Sequence, residues 1–124
     1  MSDVLHTAVR VTDLDAISAF YEDTLGLEKT KEFEAGGYLN YFVAGGSAAE
    51  IQFQYDEEDT EPVEPSGIGH LAVGVDDLDA AVAACVDEHD SEVVNEAQTF
   101  EDLGLRAAFV TDPEGYTVEL IEDL

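Results

Sequence analysis

His6-Thr-Ala-Val-Arg-Val-Thr-Asp-Leu-Asp-Ala16 and His70-Leu-Ala-Val-Gly-Val-Asp-Asp-Leu-Asp-Ala80 are one phrase written twice, 64 residues apart in a chain of 124. His, Ala, Val, Val, Asp, Leu, Asp and Ala recur in register. An ordered match at half the chain length points to one supersecondary unit used twice. The halves also close alike: Phe42-Val43 leads to Glu50, and Phe109-Val110 leads to Glu119.

Working outward, each half reads as strand, helix, then three strands. Val4 to Val11 alternates, with Leu5, Val9 and Val11 on one face and His6, Ala8 and Arg10 on the other. Thr12 or Asp13 can cap a helix running to about Thr24, with Leu14, Ile17, Phe20 and Tyr21 as its apolar stripe and Gly26 as its stop. Strands are predicted near 28–34, 38–44 and 48–55. The second half repeats the scheme: a strand at 68–75, a helix at 77–89, and strands near 92–96, 105–111 and 116–122. Asp112-Pro113-Glu114-Gly115 reads as a turn. The expected organisation is a first module over 1–57, an acidic linker with prolines over 58–66, and a second module over 67–124.

Charge narrows the function. Thirty Asp and Glu face four Lys and Arg, a formal net charge of −26. Nucleic-acid and anionic-membrane binding are excluded as expectations, because both need clustered cations. A disordered acidic tail is excluded too, since 45% of residues are apolar. No apolar run approaches the roughly 20 residues of a membrane span. No signal peptide is expected ahead of the first strand, and the single Cys85 fits a reducing cytoplasm, where packing in the second helix is its expected role. So acidic a surface repels itself at low salt, so a salt-adapted protein is expected.

His6 and His70 start equivalent strands, and pseudo-symmetry would set them on opposite sides of one cavity. His89, which ends a helix and has no counterpart, reads as structural. Ala49-Glu50-Ile51 and Val118-Glu119-Leu120 place carboxylates within apolar strands, where an anion needs a partner. A divalent cation is one such partner. Two imidazoles with two carboxylates suit zinc, nickel, cobalt, iron or manganese.

The stretches Leu-His6-Thr-Ala-Val-Arg10, Phe20-Tyr21-Glu-Asp-Thr-Leu-Gly26, Ala-Glu50-Ile-Gln-Phe-Gln-Tyr, Ile-Gly-His70-Leu-Ala-Val and Asp112-Pro-Glu-Gly-Tyr-Thr-Val-Glu119 resemble the vicinal-oxygen-chelate superfamily, and within it glyoxalase I. The likeness covers nearly the whole chain. It implies an α+β fold of two tandem βαβββ modules forming a curved mixed sheet around a metal cavity, in a homodimer. It implies one divalent metal per site, held by His6, Glu50, His70 and Glu119, with nickel or cobalt favoured and zinc possible. The implied substrate is the hemithioacetal of methylglyoxal and a cellular thiol, rearranged to a 2-hydroxyacyl thioester. Glu119 is then the leading base, with Glu50 serving the other face of the substrate. Arg10 would bind a substrate carboxylate, and Gln52 and Gln54, which share parity with Glu50, would line the pocket. Gln54 stands where the family commonly has Asn. Other members of the superfamily remain as alternatives: an epimerase, a dioxygenase, or a metal-free bleomycin-resistance-type binder.

Overall fold

Asp13 and Asp77 occupy the same place in the repeated phrase, and each starts a helix. Asp13 Oδ1 accepts the Ala16 amide at 3.0 Å, and Asp77 Oδ1 accepts the Ala80 amide at 3.1 Å. Each cap satisfies one of the amides that a helix start leaves without an internal partner. The structure, a computed structural model, describes residues 2–124. Contacts divide the chain into two compact units, Met1–Val63 and Glu64–Leu124.

The first unit runs β1 (His6–Val11), α1 (Leu14–Ser18), a π-helical turn (Ala19–Thr24), β2 (Glu28–Ala35), β3 (Tyr38–Ala44) and β4 (Glu50–Tyr55). Its four strands form one mixed sheet in the order β1-β4-β3-β2, with β1 parallel to β4 and the other pairs antiparallel. Val9, Val11, Val43 and Phe53 point to one face and are buried against Ile17, Phe20 and Tyr21 of the helix. Tyr21 sits 5.1 Å from Phe53, centroid to centroid.

The helix expected to run unbroken to Thr24 instead widens after Ser18. Leu25 N–H bonds the Phe20 carbonyl at 3.0 Å, five residues back. Successive residues of an α-helix lie about 100° apart. The wider turn brings the adjacent rings of Phe20 and Tyr21 closer to one side, and both are fully buried. Gly26 then ends the helix at φ +82°, a left-handed conformation that favours glycine.

The second unit runs β5 (Leu71–Gly74), α2 (Leu78–His89), β6 (Val93–Phe100), a 3₁₀ turn (Glu101–Leu103), β7 (Leu105–Thr111) and β8 (Thr117–Asp123). Its sheet has the order β5-β8-β7-β6, with β5 parallel to β8. Leu71, Val73, Ala108, Val110, Val118 and Leu120 are buried on one face, together with Leu78 and Cys85 of α2. The turn before β8 is built by Asp112, whose Oδ1 accepts the amides of Glu114 and Tyr116 at 2.8 and 3.0 Å. Two bounds differ from the sequence expectation by three residues or more. β5 begins at Leu71, so His70 stands one residue ahead of its strand, and β6 continues to Phe100 across two irregularities in its pairing. The fold is α+β, with βαβββ in each unit.

Candidate active site

Side chains alternate along a strand, so the face that packs on the helix fixes what the other face shows. In the first unit that other face carries His6, Ala8 and Arg10 of β1, which pair directly with Glu50, Gln52 and Gln54 of β4. In the second unit Ala72 pairs with Glu119, and His70, two residues earlier, shares that face.

The two halves place their acids differently. Ala8 and Ala72 are equivalent in the repeat, yet Ala8 pairs with Gln52 while Ala72 pairs with Glu119. The neighbouring strands agree: Phe42 pairs with Gln52, and Phe109 with Glu119. The counterpart of Glu119 is therefore Gln52. The counterpart of Glu50 is Thr117, since Ala44–Glu50 and Thr111–Thr117 are the matching pairs. Reading Glu50 and Glu119 as equivalent closures of the repeat is thus corrected by two residues. Two residues preserve parity, so both acids remain on the same type of face as their histidine.

His6 packs edge-on against Phe42 at 5.5 Å, and His70 edge-on against Phe109 at 5.2 Å. His70 Nε2 lies 3.2 Å from Glu119 Oε1. Glu50 is held from β2: the Thr30 hydroxyl donates to its Oε2, and Lys31 Nζ lies 3.5 Å from its Oε1. The Thr30 hydrogen bond, chiefly, with the charges of Lys31 and His6, holds the Glu50 carboxyl below the ordinary carboxylate range against the partial burial that opposes it. Neither acid is fully enclosed, with 19% of the Glu50 side chain and 20% of the Glu119 side chain exposed. Among the described residues no three His, Cys, Asp or Glu side chains gather around one point. The donors come as two pairs, one imidazole and one carboxylate in each unit. Each pair offers one nitrogen and one oxygen donor, a chemistry that suits a borderline divalent cation.

The remaining predicted residues are placed as follows. Arg10 lies on the His6 face, and its Nη1 is 3.0 Å from Asp59 Oδ2, with both side chains about one-third exposed. Gln52 is buried rather than open to a pocket. Its Nε2 donates to Asn40 Oδ1 at 2.7 Å, while Asn40 Nδ2 is bound to the carbonyls of Phe33, Ala35 and Tyr38. Gln54 is half-buried on the same face. Arg106 is a structural cation: it forks onto Asp79 at 3.1 and 3.3 Å and lies 3.7 Å from Glu122, whose Oε1 accepts the Leu78 amide. Cys85 is fully buried, and burial, with a smaller push from Glu88, raises its thiol to about 11. Sequence reasoning missed Thr30, Lys31, Asn40 and Asp59. Only the two phenylalanines had left a mark, as the repeated Phe-Val.

The Glyoxalase/Bleomycin resistance protein/Dioxygenase superfamily model matches residues 3–120. The chain belongs to this superfamily. It is 38% identical to a lactoylglutathione lyase of Haemophilus influenzae, over 97% of this chain and 92% of that one. It is 33% identical to a probable lactoylglutathione lyase of Synechocystis, over 96% and 94%. Among solved structures, the trypanothione-dependent glyoxalase I of Leishmania major superposes with a TM-score of 0.80 at 30% identity, over 98% of this chain and 87% of that one. An antibiotic-binding protein of Streptomyces, at 24% identity and a TM-score of 0.73, shares the fold. Over almost its whole length this superfamily member is an enzyme of the lactoylglutathione lyase type, a carbon–sulfur lyase.

Proposed function

We propose that this protein is a metal-dependent glyoxalase I-type lyase. Its substrate is the hemithioacetal formed from methylglyoxal and a cellular thiol, and its product is the 2-hydroxyacyl thioester. The observation that carries the reading is the pair of His–Glu half-sites, His6 with Glu50 and His70 with Glu119, each on the sheet face turned away from its helix. These four residues are the proposed ligands of one divalent cation, nickel or cobalt before zinc. When bound, the metal supplies positive charge that stabilises the negative oxygens of an enediolate.

The chain's own residues do the rest. The Glu119 carboxylate takes the proton from the carbon that bears sulfur and returns it to the adjacent carbon. The hydroxyl on the sulfur-bearing carbon gives up its proton as that carbon becomes the thioester carbonyl, and the ketone oxygen gains a proton as it becomes the alcohol, so no atom is gained or lost. Proton transfer by a placed carboxylate is worth about 10²–10⁴-fold. Glu50, tied by Thr30 and Lys31, serves the opposite face of the substrate. The Arg10 guanidinium offers a fork to a substrate carboxylate, in exchange for the half-buried Asp59 contact. Gln54 lines the site, and Gln52 braces it through Asn40. We further place the protein in the cytoplasm, as a homodimer adapted to high salt.

The test is reconstitution. Metal-stripped protein in molar potassium chloride is loaded with nickel, cobalt or zinc and given preformed hemithioacetals of methylglyoxal with glutathione or γ-glutamylcysteine. Thioester formation that depends on added metal is expected. No thioester with any metal and either thiol overturns the reading.

A further inference from the structure

The pairing of β2 with β3 slips once. Lys29 faces Val43 and Lys31 faces Phe42, so Thr30 is an extra residue set against that single step. A bulge of this kind breaks the strict alternation of side chains and re-aims them. Here two successive residues reach one target, Thr30 Oγ1 at Glu50 Oε2 and Lys31 Nζ at Glu50 Oε1. In a regular strand they would point to opposite faces.

The reach crosses a whole strand, because β3 lies between β2 and β4. The β3 residue paired with both Glu50 and Glu28 is Ala44, whose small side chain leaves the way open. Lys31 is itself steered, with its Nζ 4.6 Å from the centre of the Phe42 ring. That ring stacks on Phe33 at 5.6 Å and carries His6 on its edge at 5.5 Å. One run of contacts therefore supports both donors of the first half-site. In the second half-site the carboxylate of Glu119 meets its own histidine instead.

We propose that Thr30 and Lys31 are positioning residues, placed by the bulge, that hold the Glu50 carboxylate in the orientation it needs to ligate the cation. This inference rests on the proposed ligand role of Glu50. A carboxylate has about four acceptor sites, so one donor on each oxygen leaves others for a metal. Partners that orient a ligand from behind are commonly worth 10–100-fold in metal affinity.

The experiment titrates the metal-stripped, full-length chain with cobalt(II) alone in molar potassium chloride. Binding is followed by calorimetry and by the visible absorption of the bound ion, whose bands report ligand geometry. Thr30→Val keeps shape and loses the hydroxyl; about tenfold weaker binding and an altered spectrum are expected. Thr30→Ser returns the hydroxyl and restores both. Lys31→Met, at an exposed position, weakens binding a few-fold. Glu50→Gln weakens it most. If Glu50→Gln is weakened while Thr30→Val and Lys31→Met match the wild type in affinity and spectrum, the positioning role is overturned and the ligand assignment stands. If Glu50→Gln also matches the wild type, the ligand assignment fails and the positioning role falls with it.

Discussion

At the scale of single residues, two carboxylates of one type have been given different neighbours. Glu119 faces an imidazole 3.2 Å away, while Glu50 is bonded by a hydroxyl and approached by an ammonium. Glu119 is the proposed base, and Glu119→Gln is expected to lose at least about 10²-fold in turnover while keeping the wild-type circular dichroism. Turnover near wild type would return the role to another group. Cys85 supplies a second residue-scale expectation. Its thiol, raised to about 11 by burial, stays protonated and covered at neutral pH. Iodoacetamide should leave it untouched between pH 7 and 9 until the chain is unfolded. The linkage sign follows. The unfolded thiol ionises first as pH rises, so the stability contributed by the neutral buried form is lost from about pH 9 upward.

At the scale of elements, the repeat makes the caps comparable. Asp13→Ala and Asp77→Ala should each cost about 1 kcal/mol, read as a lower denaturant midpoint at unchanged slope. The cost at Asp77 should propagate further, because α2 is 12 residues long and covers the second sheet through Leu78 and Cys85. Much at this scale was legible in the amino-acid sequence. The period-2 pattern of β1, the Asp caps and the turn at Asp112 are local signals, and local signals survive folding. That His6 shares a face with Glu50, and His70 with Glu119, was legible because strand parity carries from sequence to sheet face. Register was not legible. Nothing in Glu50-Ile51-Gln52 tells which residue will sit beside Ala8, because that depends on how β4 slides against β1 and β3. The bulge at Thr30 is likewise set by pairing between strands, and the widening after Ser18 by packing of two adjacent rings. Asp59 was hidden for another reason: in so acidic a linker, no single carboxylate announces itself.

At the scale of the whole molecule, all four Lys and Arg side chains are engaged by carboxylates: Arg10 by Asp59, Lys29 by Glu32, Lys31 by Glu50, and Arg106 by Asp79 and Glu122. The excess of 26 negative charges is left to solvent and counterions. Screening shortens from about 10 Å at 0.1 M salt to about 3 Å at 1 M. The melting temperature should therefore climb steadily between 0.1 and 2 M potassium chloride. Each kcal/mol of relieved repulsion is worth about 4 °C for a chain of this size. A flat profile would remove the case for salt adaptation. Among the described residues no helix is long and apolar enough to cross a membrane.

The same pairing of every cation has a chemical consequence. A 2-oxoaldehyde, the reagent this protein is proposed to clear, damages proteins by adding to amines, guanidines and thiols. This chain holds two lysines and two arginines, each beside an anion, and one thiol sealed in its core. A protein built this way offers such a reagent few nucleophiles to attack.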